Sequence, residues 1–148
     1  MKLKTIAKSI MIAASKERVW SVLLDEEYTR VWYKHFSEGA HAVTDWKEGS
    51  KALFFDETGF GLISTVIENI PYQLIDLEHQ GVLFNGKEDL ESDLAKGVKG
   101  AKETYHLTEI TGGILLAIKS DMDESYFESM SKSWENALAN LKLLAENK

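Results

Sequence analysis

The sequence predicts an α+β fold in which a curved antiparallel sheet of about six to seven strands wraps around one long C-terminal helix, with two short helices after strand 1. Three observations carry this. Asp123 to Glu146 is the only stretch that keeps helical period over several turns, with Phe127, Met130, Trp134, Leu138 and Leu141 at steps of three and four on one face. From Phe36 onward, turn signals arrive at strand-length intervals. No helical pattern separates those strand-length segments, so antiparallel hairpins are the economical connection. A helix of 24 residues would run roughly 36 Å, enough to cross such a sheet and cover its otherwise bare face.

Taken in order, residues 3 to 14 alternate as a strand, with Ile6, Ile10 and Ile12 on one parity and Lys4 and Lys8 as polar exceptions on it. Ser15 stands where an N-cap is wanted, before Lys16, Glu17 and Arg18, and Val19, Trp20, Val22 and Leu23 give a short helix its apolar face. Asp25 is placed to cap a second short helix carrying Tyr28, Val31, Trp32 and His35. Lys51 to Asp56, Gly61 to Glu68, Tyr72 to Gln80, Lys102 to Glu109 and Ile114 to Ser120 then read as strands, rich in β-branched and aromatic residues. Glycine turns and the sole proline, Pro71, punctuate them. Phe84 to Gly100 is polar and reads as a long solvated loop, a length that is often functional.

The composition narrows the function. At 148 residues the chain has the length of one domain, 1–148, able to bury a core without disulfides or metal. With no cysteine, disulfides, thiolate nucleophiles and thiolate metal sites are excluded. A net charge of −7 without a basic cluster argues against nucleic acid as a partner. The opening MKLKTIAKSIMIAAS is interrupted by Lys8 and Ser9, leaving too short an apolar run for a secretory segment, and no stretch is apolar enough to span a bilayer. A cytoplasmic protein with no membrane insertion is the expectation.

Several stretches carry a resemblance. Ile12-Ala13-Ala14-Ser15-Lys16-Glu17-Arg18-Val19-Trp20 enters the first helix, and Thr44-Asp45-Trp46-Lys47-Glu48-Gly49-Ser50 lies in the first hairpin. Gly100-Ala101-Lys102-Glu103-Thr104-Tyr105-His106-Leu107 forms the penultimate strand, and Trp134-Glu135-Asn136-Ala137-Leu138-Ala139-Asn140-Leu141-Lys142 the last helix. In this order they resemble the START-like, birch-pollen-allergen-like (SRPBCC) superfamily of helix-grip proteins. Within it, they are similar to the branch of the C-terminal domain of the activator of heat-shock protein 90 ATPase. The resemblance implies a cavity between the long helix and the concave sheet that holds a small hydrophobic or amphipathic molecule. Some members of the superfamily are cyclases or other enzymes, some are carriers, and the eukaryotic activators bind a chaperone. That last role depends on a further N-terminal domain not found in this sequence, so it is not carried over.

On this frame the candidate ligand-binding residues are Trp32, Phe36, Trp46, Phe54, Tyr105, Phe127, Met130 and Trp134. Aromatic residues at helical spacing also serve as plain core. Trp134 and Leu138 are therefore expected to pack, while Phe127 and Met130, nearer the start of the helix, border a ligand space. Strand parity adds polar candidates: Glu103 shares a face with Tyr105 and Leu107, and His79 shares one with Ile75 and Leu77. An imidazole and a carboxylate in one apolar cavity would make an acid–base pair of cyclase or hydrolase type. No other catalytic pattern is present. The four histidines lack metal-ligand spacing, Gly59-Phe60-Gly61 lacks the third glycine of a phosphate loop, and no serine sits in a nucleophile elbow, so no cofactor is indicated. The reading favoured is binding of a hydrophobic ligand without turnover. A protein-interaction module, docking a protein partner or a second copy through the acidic surface or the Phe84 to Gly100 segment, is the third.

Overall fold

The computed structural model describes residues 2–147. β1 (Leu3–Ile12) leads to α1 (Lys16–Leu24) and α2 (Glu26–Trp32), which a 3-10 turn extends over Tyr33–His35. β2 (His41–Val43), β3 (Lys51–Phe55), β4 (Gly61–Ile70), β5 (Leu74–Phe84) and β6 (Lys87–Asp89) follow. After α3 (Asp93–Val98) come β7 (Lys102–Ile110), β8 (Gly113–Asp123) and, through a 3-10 turn, α4 (Phe127–Glu146). All pairings are antiparallel, in the order β1-β8-β7-β5-β4-β3-β2 with β6 beside β5. This is the helix-grip α+β arrangement, with α4 packed against the sheet and the two short helices.

Local chemistry explains the joints. Ser15 Oγ accepts the Arg18 amide at 3.1 Å, capping α1. Asp25 makes no side-chain cap; its own N–H instead closes α1 on the Ser21 carbonyl at 2.8 Å while its carbonyl opens α2. Arg18 reaches across to the far end of α4, donating to the carbonyls of Leu144 (2.8 Å) and Asn147 (3.0 Å) that the helix leaves unpaired, and to the Tyr28 hydroxyl (2.7 Å). The first and last helices are thereby tied together by one guanidinium.

The two lysines that break the pattern of β1 also have a structural account. Lys4 sits with its ammonium 4.0 Å from the centroid of the Phe127 ring, and Lys8 pairs with Glu135 at 3.4 Å. β1 is an edge strand. Charges on its covered face oppose a second chain pairing there in shifted register.

The Phe84 to Gly100 segment is not one solvated loop. It holds β6 and α3, and α3 is capped by Ser92 Oγ accepting the Ala95 amide at 3.1 Å. Asn85 (φ 52°) and Gly86 (φ 76°) form the two-residue turn of the β5–β6 hairpin, a left-handed pair for which Asn-Gly is the favoured sequence. Ala95 is buried, as are Ile63, Val82, Leu83 and Ala101, all outside the main core cluster. A three-residue strand and a six-residue helix are too short to show a period within so polar a segment.

α4 begins at Phe127 rather than Asp123 and buries Trp134, Ala137, Leu138, Leu141 and Ala145. Its 20 residues span roughly 30 Å. Against this face lie Ile75, Leu77, Tyr105, Leu107, Leu116 and Ile118 from the middle of the sheet, with Val19, Val22 and Trp32 from the short helices, in one core. Trp32 is fixed by its indole N–H, which donates to the Val22 carbonyl at 2.9 Å.

Candidate functional site

The core does not fill the space between sheet and helix completely. A cavity of about 350 Å³ remains, bounded by the end of α2, the start of α4 and strands β3, β4, β5 and β7. One wall is a connected set of rings. Trp134 lies 4.8 Å from Phe36, 6.1 Å from Tyr105 and 6.3 Å from Trp32, centroid to centroid, and Tyr33 lies 4.6 Å from Trp32 and 6.4 Å from Phe54. Most are edge-on or tilted contacts, the favourable arrangements for quadrupolar rings.

The polar part of the cavity comes from inward-facing sheet positions. His79 on β5 shares a hydrogen bond between its Nδ1 and Ser64 Oγ, 2.6 Å apart, and the two residues face each other in the β4–β5 register. Glu103 on β7 accepts from the Tyr105 hydroxyl and, at 3.4 Å, from Ser120 Oγ on β8. Burial, with Glu103 nearby as a second cause, pushes the Tyr33 and Tyr105 phenols well above their ordinary range. Both are therefore neutral hydroxyls at any physiological pH.

Burial also holds the His79 imidazole below its ordinary pKa of 6.5, against the pull of Glu103 and Asp121. The sign has a consequence for stability. The folded protein prefers the uncharged ring, whereas the unfolded chain takes up a proton near pH 6.5. His79 thus leaves stability intact above that pH and erodes it as the pH falls from there towards the folded-state value, with a slope of at most about 1.4 kcal/mol per pH unit. Denaturant unfolding of the native protein and of His79→Gln between neutral and mildly acid pH measures this. The variant is expected to lose the His79 share of the slope, and parallel profiles would contradict the account.

Of the residues singled out from sequence, Trp32, Phe36, Phe54, Tyr105, Met130 and Trp134 line the cavity, as do His79 and Glu103. Trp134 both lines it and packs, at 2% exposure. Trp46 and Phe127 lie off the cavity wall. The Trp46 indole donates to the Leu24 carbonyl at 3.2 Å, so it anchors the β2–β3 loop to the end of α1, and Phe127 lies beneath Lys4. His79 and Glu103 share the cavity without a hydrogen bond to one another; each is engaged with its own hydroxyl partners.

Residues passed over in the sequence include Tyr33, Phe55, Phe60 and Leu62 on the wall and Ser64 and Ser120 behind it. Ser64 shares parity with Leu62 and Val66, and that alternation was available as a signal. Phe60, partly exposed, lies near the joined tips of two hairpins, where the Gly86 N–H donates to the Gly59 carbonyl at 2.9 Å.

A curled antiparallel sheet gripping a long helix, with an aromatic-lined cavity between them, defines a helix-grip protein of the START-like kind. Within that class the chain belongs to the family described as Activator of Hsp90 ATPase homolog 1-like protein, whose model matches residues 13–146. Solved structures agree in fold. The Aha1 dimer from Colwellia psychrerythraea has a TM-score of 0.74 at 17% identity, with 97% of each chain covered. The AHSA1-like protein from Aeromonas hydrophila has a TM-score of 0.70 at 15% identity, covering 97% of this chain and 92% of that one. A protein from Cytophaga hutchinsonii has a TM-score of 0.69 at 24% identity, covering 99% and 97%. No curated protein matches the sequence. Among the described residues, no helix is long and apolar enough to cross a membrane, and no cluster of ligating side chains is arranged to hold a metal ion.

Proposed function

We propose that the protein binds a small hydrophobic or amphipathic molecule in this cavity, without turning it over. The observation that carries the reading is the cavity itself. About 350 Å³ lies within an otherwise packed domain, walled mainly by aromatic side chains with a few polar groups at one part. That is the combination ligand sites use, apolar area for affinity and sparse polar groups for orientation. Binding without turnover fits the engagement of His79 and Glu103 with separate hydroxyl partners and the complete burial of Ser64.

The test is a titration with N-phenyl-1-naphthylamine, an uncharged fluorophore of three aromatic rings. Saturable one-to-one binding is expected. Ala40 lines the cavity, and Ala40→Trp should weaken binding by roughly tenfold or more by occupying its volume. Absence of saturable binding, or equal binding by a folded Ala40→Trp variant, would contradict the proposal.

The relative from Colwellia psychrerythraea is described as a dimer. Self-association of this chain is a further proposal that light scattering across a concentration series would decide.

A further inference from the structure

We propose that the cavity selects an organic ammonium ion, a protonated amine or quaternary ammonium on an apolar body, with its cationic head at Glu103 and its body along the aromatic wall. The inference rests on the ligand-binding reading above and sharpens it to the charge of the ligand.

The first observation is the sign of the lining. Among the described residues, Glu103 and Asp56 both border the cavity, and no lysine or arginine does. Of the described residues that line it, His79 alone is basic, and burial favours the uncharged ring.

The second is that Glu103 has no cationic partner. The ion pairs among the described residues engage Lys8, Arg30, Lys51, Lys102, Lys132 and Lys142, none of them with Glu103. Even Lys102, its neighbour in the chain, turns to Asp76 at 2.8 Å. The bonds Glu103 does receive come from the neutral hydroxyls of Tyr105 and Ser120. They orient the carboxylate and leave its charge uncompensated. Asp56 likewise receives only neutral donors, the Thr58 hydroxyl and amide at 2.5 and 2.9 Å, which hold it within its own turn.

The third is the wall. Indole, phenol and phenyl faces attract a cation through their quadrupoles, most strongly when water is excluded, and sets of such rings are a recurring answer to alkylated ammonium groups. Trp32, Tyr33, Phe36, Phe54, Tyr105 and Trp134 line the same cavity as the carboxylate. A carboxylate ligand would meet like charge at both acidic groups in a partly desolvated space, and an alcohol would gain the hydrogen bond without the charge.

Calorimetric titration with a matched series tests this: 4-phenylbutylammonium, 4-phenylbutan-1-ol and 4-phenylbutanoate at about pH 7.5, where the amine is charged. The amine should bind roughly tenfold or more tighter than the alcohol, and the carboxylate weakest of the three. Glu103→Gln keeps an acceptor for Tyr105 and Ser120. In this variant the advantage of the amine should shrink to within about threefold while alcohol binding changes by less than about threefold. The ranking in the unmodified protein is decisive even if the variant folds poorly. Equal binding of amine and alcohol overturns charge selection, an amine preference that survives Glu103→Gln overturns Glu103 as the seat of the cation, and either leaves the cavity reading standing. Failure of all three to bind overturns both.

Discussion

Trp134→Ala is expected to lower the unfolding free energy by about 3–5 kcal/mol, the range for emptying a fully buried indole site. Trp134 is the hub of the ring cluster, touching Phe36, Tyr105 and Trp32 from three different elements, so its loss releases contacts that hold α4 against the sheet and the 3-10 turn. The hole left behind would merge with an existing cavity, which gives the neighbouring rings little to collapse onto. One detail limits the loss: the indole N–H is buried without a hydrogen-bond partner, so its removal relieves a small cost. Trp134→Phe keeps most of the apolar area and drops that donor, and should cost distinctly less. Denaturant unfolding of the three proteins gives both numbers, and a loss below about 1 kcal/mol for the alanine variant would mean that the ring is not packed as described.

Gly61→Ala is the second large effect. A Cβ at Gly61 would lie 1.7 Å from the Phe54 carbonyl oxygen and 2.6 Å from Phe55 Cα, both backbone atoms of the adjoining strand. Neither can move aside without opening the β3–β4 hairpin, whose residues Phe54, Phe55, Gly61 and Leu62 border the cavity. A loss of about 3 kcal/mol or more is expected, at the upper end for overpacking. Gly49→Ala is the matched control. It has a positive φ of +84° but open space around the added carbon, so only the conformational cost of about 1–2 kcal/mol applies. If Gly61→Ala loses no more than Gly49→Ala, the close approach at Gly61 is not as described.

What could be read from the sequence followed from period and parity. The steps of three and four from Phe127 to Leu141 placed one face of α4 correctly, and alternation in β5 and β7 turned His79, Glu103 and Tyr105 to the covered face. Both signals survive because the sheet has one covered face and a slip of one residue would expose the core. Other features had no period to show. β2 and β6 are three residues each, too short for an alternation to stand out. The β5–β6 hairpin was legible in Asn85-Gly86 and was hidden by the polar residues after it. The extent of the cavity was not legible, because it depends on how Trp32 and Phe36 meet Trp134, and Tyr33 meets Trp32 and Phe54, around an irregular turn. The same holds for Trp46: its φ of 62° and its bond to Leu24 direct the ring to the end of α1 rather than into the cavity.

The functional account stands on the aromatic cavity being a ligand site. The measurement that tests it most directly is the titration with N-phenyl-1-naphthylamine followed by the amide and indole N–H resonances of the protein. The four tryptophans divide into two pairs. Trp32 and Trp134 line the cavity, whereas Trp20, stacked edge-on near Tyr72, and Trp46 lie off it. The account predicts saturable shifts of the Trp32 and Trp134 indole signals, with the Gly61, Glu103 and Tyr105 amides, while Trp20 and Trp46 hold still. Shifts centred on the exposed Phe84, Leu90 and Leu94, or an unchanged spectrum at saturating probe, would contradict it.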